Sequence, residues 1–297
     1  MSQASTALPA TRERERPLGL WTDALRRMRR SPAAIIGATI IGFFVLIAIF
    51  APFLAPYDPT RGNLAESYLP PSPTHWFGTN VQGQDVLSRI IFGSRLTLGI
   101  AVLSVAIGVS IGSTLGALAG YFRGWVDSVI MRLVDIMLSI PGLLFAIAVV
   151  TFLGRGVVQI AIAIAILNIP IFARLLRGSL LSLREADYVM AARSVGVPGP
   201  TLLIRHMLPN AMSPLIVQGT LALATAVVEA AALGFLGLGP PDPRTPEWGM
   251  MLSDTYRYLN DAPYLVLFPG IAIVLSVFGF NLLGDGMREA LDPKLRR

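Results

Sequence analysis

Side chains able to do covalent or proton-transfer chemistry are scarce in this 297-residue chain. It has no cysteine, two histidines and a single lysine, Lys294. Without cysteine there is no thiolate nucleophile and no Cys-based zinc or iron–sulfur site. A Gly-x-x-x-x-Gly-Lys-Ser/Thr phosphate loop cannot be written around Lys294, and no Gly-x-Ser-x-Gly elbow occurs. His75 and His206 fall on opposite sides of the membrane predicted below, which excludes a two-histidine metal centre. The expected catalytic and metal sets are therefore both empty. If an uphill process is driven by ATP, hydrolysis must occur on another chain. Two polar features remain: an isolated acid, Glu229, followed by Ala230, Ala231 and Ala232, and an arginine-bearing loop with a regular internal pattern.

The elements that must position these residues follow from where the apolar residues cluster. Hydrophobic residues make up 54% of the chain and charged ones only 14%, which excludes a disordered chain. A helix crossing the hydrocarbon layer needs about 20 mostly apolar residues. Six such runs are present, at about 33–54, 96–119, 134–153, 157–173, 211–236 and 264–284. Ala161 to Ile166 alternates Ala and Ile, but a lone strand in lipid leaves its backbone unpaired, so the run reads as helix. The fold class is all-α: a polytopic six-span domain over residues 32–290, with a coupling loop at 174–210. A segment 1–31 precedes it and a tail 291–297 follows. Leu18, Trp21, Leu25 and Met28 stand at helical spacing beside four arginines, as in a short interfacial helix on the lipid surface.

Orientation follows from the basic residues. With the N-terminus inside, 18 of the 24 lie in inside segments and 6 in outside ones, so both termini are expected in the cytoplasm. This distribution also argues against nucleic acid as a partner, which needs basic charge on one folded surface.

Within the spans, Gly108, Gly112, Gly116 and Gly120 recur every four residues and clear one stripe for close helix packing. Glu229 reads either as a pathway or gating residue or as the partner in a structural hydrogen bond to a neighbouring helix. Asp135 lies three residues after Arg132, a spacing that pairs them on one helical face. Pro141, Pro170, Pro214 and Pro269 predict kinks. In the longest inside loop, Ser182 and Glu185 have capping-box spacing, Gly196 suits a left-handed helix end, and Pro198 prevents continuation. A helix of about three turns is expected between them, presenting the small surface of Ala191 and Ala192.

Met190-Ala-Ala-Arg-Ser-Val-Gly196 followed by Ile204-Arg-His-Met-Leu-Pro-Asn210 resembles the EAA loop of ABC importer permeases. Met190 stands where that pattern has glutamate, and His206 stands at the later isoleucine position. The stretch from His75 to Arg95 is similar to the signature before the second span in C-type permeases of dipeptide, oligopeptide and nickel importers. The stretch from Glu229 to Leu252 is similar to that subfamily's fifth span and following loop. The resemblance implies a type I importer permease in the cell membrane of a prokaryote, surrounded by lipid. Its expected partners are a second, homologous permease, two ATP-binding subunits and an extracytoplasmic substrate-binding protein. No cofactor is then expected on this chain, ATP and Mg being held by the partner subunits. Glu185, Met190, Ala191, Ala192, Gly196, Leu208 and Pro209 would couple to the ATPases, and Glu229 would line the translocation path of a peptide. The competing class is an ion-coupled secondary transporter in which Glu229 carries the proton.

Overall fold

The computed structural model describes residues 25–291. Leu18 and Trp21 of the expected interfacial helix lie outside them, while residues 25–28 are helical. The described residues contain no strand, only an isolated bridge between Thr79 and Asp85.

Helix α1 (Pro32–Leu54) begins on Ser31, whose hydroxyl accepts the Ala34 amide, with Pro32 in the first turn, where its missing N–H costs nothing. Only Ala34, Gly37, Phe44 and Ala51 of it are buried, one narrow stripe, so most of α1 faces outward. Helix α2 (Val86–Phe122) has 37 residues, capped by Asp85. At 1.5 Å per residue it is about 55 Å long, well beyond a bilayer core. Its first turns carry the buried polar residues Ser88, Arg89 and Ser94.

The third apolar run is not one straight helix. It divides into α3 (Gly124–Ser139) and α4 (Gly142–Leu153), bent by 95°. Pro141 offers no N–H to the preceding turn and drives Ile140 into an extended conformation (φ −91°, ψ 131°). The span expected at 134–153 is thus an elbow, and α4 alone, about 18 Å long, does not cross the hydrocarbon.

Helix α5 (Val157–Arg184) runs eleven residues beyond the expected end of its span, and the short α6 (Asp187–Ser194) follows. A continuous helical segment, Gly199–Leu238, includes α7 (Leu208–Leu233) and has π-helical turns at both ends. Helix α8 (Trp248–Thr255) precedes α9 (Tyr264–Leu291), which extends past the expected limit of 284. Among the described residues, five helices are long and apolar enough to cross a membrane, six with the elbow counted as one.

The core is the seam between α2 and α5. These helices run parallel, with Gly108 over Ala165 and Asn168, Gly112 over Ile169 and Phe172, Gly116 over Ala173, and Gly120 over Leu180. A β-carbon at Gly112 would stand 2.5 Å from the Ile169 carbonyl oxygen, so only glycine permits this approach. A second close seam joins α1 to α9, where Gly37 backs onto the Gly279 carbonyl and Gly286 onto Ala34. The Ser31 hydroxyl donates to Glu289 (3.2 Å) at the end of that seam.

Candidate functional site

Three regions hold the polar and exposed residues that a membrane core does not explain. The first is the end of the molecule bearing α6. The capping box expected at Ser182 and Glu185 does not form: Ser182 lies in the last turn of α5, and Glu185 is its C-terminal cap. Buried Leu176 and Leu180, with Leu183 packed beside them, extend the apolar stripe of the span past this point, so the helix continues. After Ala186 turns extended (ψ 141°), α6 starts at Asp187 without a side-chain cap. It has two turns rather than three.

Its far end matches the expectation for Gly196. That residue has φ +82°, its amide donates to the Arg193 carbonyl (3.0 Å), and the Val197 amide donates to the Ala192 carbonyl (3.1 Å). This pair of bonds is a Schellman closure. Val189 on the inner face of α6 is fully buried, and Ala192 packs against the core. The Tyr188 hydroxyl donates to the His206 carbonyl and accepts from Asn210, tying α6 to the start of α7. The outer face is left apolar and exposed at Met190 and Val195, with Ala191 between them, and Pro209 is exposed nearby. The sequence-selected coupling residues therefore share one end of the molecule, on α6 and on the adjoining ends of α5 and α7.

The second region is the elbow. Where α3 meets α4, a cavity of about 450 Å³ opens, lined by Pro141, Phe145, Ile166, Ile171 and Glu229 among others. Glu229 projects from α7, and its Oε2 atom is shielded from solvent without a hydrogen-bond partner. The pairing expected between Arg132 and Asp135 is replaced by one between helices: Arg174 of α5 reaches Asp135 at 2.6 Å. One turn further along α5, Arg177 grips Asp127 through two bonds of 2.5 and 2.7 Å. The Asp127–Arg177 latch is a feature sequence spacing did not find, because its partners are 50 residues apart and the arginine reads as a topology charge. Together these pairs lock α3 to the half of α5 that leads into α6.

The third region is the opposite end. Arg89, 1% exposed, donates to the carbonyls of Pro59 (3.1 Å) and Arg244 (3.0 Å) and to Gln84 (2.6 Å). It thereby pins the α1–α2 connection to the loop before α8. Glu247, in the loop before α8, is fully buried and caps that helix by accepting the Gly249 and Met250 amides (2.9 and 2.8 Å). Burial pushes its carboxyl up to about 7, against the downward pull of those bonds and of Thr97. Trp248 fits beside Gly93, donates to the Ile90 carbonyl (3.1 Å), and meets Phe44 edge-on. Neither Arg89 nor Glu247 stood out in the sequence, since both look like ordinary loop charges. His75, also here, pairs with Asp85 at 2.9 Å. Among the described residues no group of His, Asp or Glu is arranged to hold a metal.

A bundle with a cracked third span and a short helix displayed between long ones defines a class of membrane permease. The family of binding-protein-dependent transport system inner membrane components matches residues 112–297, and the N-terminal transmembrane domain of oligopeptide transport permease C matches residues 19–71. The chain belongs to this family and is an inner-membrane permease component. It is 46% identical over 276 residues to a dipeptide transport system permease protein, DppC, of Alkalihalophilus pseudofirmus, covering 93% of this chain and 90% of that one. It is 44% identical over 283 residues to a glutathione transport system permease protein, GsiD, of Escherichia coli, covering 93% and 91%. The inward-facing MetNI methionine ABC transporter shares the fold, with a TM-score of 0.58 at 21% identity, over 69% of this chain and 97% of the other.

Proposed function

We propose that this chain forms half of the translocation path of an ATP-driven peptide importer. It works with a second, homologous permease, two ATP-binding subunits and an extracytoplasmic substrate-binding protein. The observation that carries this reading is the geometry of α6, a two-turn helix that exposes Met190 and Ala191, closes at Gly196, and follows α5 of the core seam after a single extended residue, Ala186. ATP and Mg act on the partner subunits; this chain transmits their closure. Both termini face the cytoplasm, as the arginine bias supports, and the loops at 57–95 and 239–263 receive the loaded binding protein. A dipeptide or glutathione-sized cargo accords with what the named relatives transport.

Motion enters at Met190, Ala191 and Ala192, runs along α5, and reaches the elbow through the Asp127–Arg177 and Asp135–Arg174 pairs. Glu229 lines the path beside that elbow. The test is Ala191→Trp, on the exposed face of α6, in the assembled importer: ATP hydrolysis persists while transport per ATP falls. Unchanged coupling would refute the role of α6.

A further inference from the structure

The bend at Pro141 leaves a chamber whose lining side chains are apolar apart from Ser139 and Glu229, and Glu229 is the only ionisable residue among the described residues on its wall. The buried Oε2 of Glu229 accepts no hydrogen bond. No arginine, lysine or histidine is among the described residues that line the chamber. A shielded acceptor therefore stands at this space without a cation on the wall to meet it.

A buried carboxylate without a donor is costly enough that a matching group is expected. A metal ion does not fit, since no second His, Asp or Glu joins Glu229. An ammonium does fit: it brings three donors and one positive charge in a compact group. About 450 Å³ accepts one end of a small amino-acid-like molecule, the apolar wall taking its carbon skeleton.

We infer that the elbow chamber is a transit subsite for the protonated amino group of the cargo, with Glu229 as the residue that receives it. This rests on the importer reading given above and deepens it: the permease itself, and not only its binding protein, selects for a cationic amine. Because Glu229 of α7 lines the same cavity as Pro141 at the bend of the broken span, binding and movement of α3 against α4 share one place.

The test uses the complete importer in proteoliposomes, with binding protein and ATP, comparing wild type with Glu229→Gln and Glu229→Asp. A hydrogen bond to a charged group is worth roughly ten- to a hundredfold in rate. Glu229→Gln is expected to keep binding-protein-stimulated ATP hydrolysis within about twofold of wild type while uptake falls at least about tenfold, with Glu229→Asp recovering part of it. Since the chain has no cysteine, Glu229→Cys adds a single thiol to it. Attaching a sulfonate to that thiol should restore uptake and attaching an ammonium should abolish it. Glu229→Gln uptake within twofold of wild type overturns the inference. So does a proportional loss of hydrolysis and uptake, which would mark Glu229 as a packing residue paired across the permease dimer. Absence of ATP-driven uptake in the wild type would instead strike the importer reading itself.

Discussion

Replacing Gly112 with alanine tests the α2–α5 seam on which the fold rests. The added β-carbon would lie 2.5 Å from the Ile169 carbonyl oxygen and 2.8 Å from the Phe172 β-carbon. Ordinary carbon contacts are about 3.5–4.0 Å, so the helices must part by about 1 Å along this stretch. Overpacking of that kind costs about 1–3 kcal/mol. Alanine also favours the helix over glycine by about 1 kcal/mol, which works in the opposite direction. Gly99 of the same helix provides the reference, because a β-carbon there meets nothing within 4 Å. The propensity gain is common to both variants and cancels in their difference, leaving the packing cost alone. Gly112→Ala should therefore unfold about 2–12 °C below Gly99→Ala, taking about 2–4 °C per kcal/mol. Thermal melts of the two purified variants in identical nanodiscs read this directly. A Gly112→Ala protein as stable as Gly99→Ala would show that the helices are not held this closely.

Three further outcomes follow from particular contacts. Arg177→Gln leaves Asp127 half-buried without its two bonds and should cost about 1–2 kcal/mol; the exchanged pair Asp127→Arg with Arg177→Asp should recover part of the lost melting temperature. Glu247 has its carboxyl raised to about 7 by burial, so its folded form holds the proton more tightly than the unfolded chain. Stability from this group is complete below the ordinary carboxylate range and declines as pH rises through 7, by on the order of 3 kcal/mol. Melting curves at pH 5 and pH 8 should thus differ more for wild type than for Glu247→Gln. Arg89→Ala unties the loops at Pro59 and Arg244, and limited proteolysis should cut them faster than in wild type.

Much of this architecture was legible in the apolar runs, because lipid leaves helices as the only economical way to satisfy the backbone. The glycine stripe and the left-handed Gly196 were legible for a similar reason: each is a local steric demand that few other residues meet. Helix ends were read less well. Ser182 and Glu185 have the spacing of a cap, yet the packing of Leu176, Leu180 and Leu183 carries α5 through them. Hydropathy also hid the 95° elbow, since residues on both sides of Pro141 are equally apolar. The Arg132–Asp135 spacing lost to a contact from α5 for a related reason: a local pair competes poorly when a longer reach brings two arginines against two acids. Arg89 and Glu247 owe their roles to loops brought together only by the fold, some 150 residues apart in sequence.

The central claim is that partners using ATP drive this permease, and the most direct measurement is cargo uptake by the reconstituted assembly under two energy sources. With ATP inside the proper compartment and no ion gradient, uptake should require the binding protein and stop when hydrolysis is blocked. With a proton gradient and no ATP, no accumulation should occur. Accumulation driven by the gradient alone would contradict the account and make Glu229 the proton carrier of a secondary transporter.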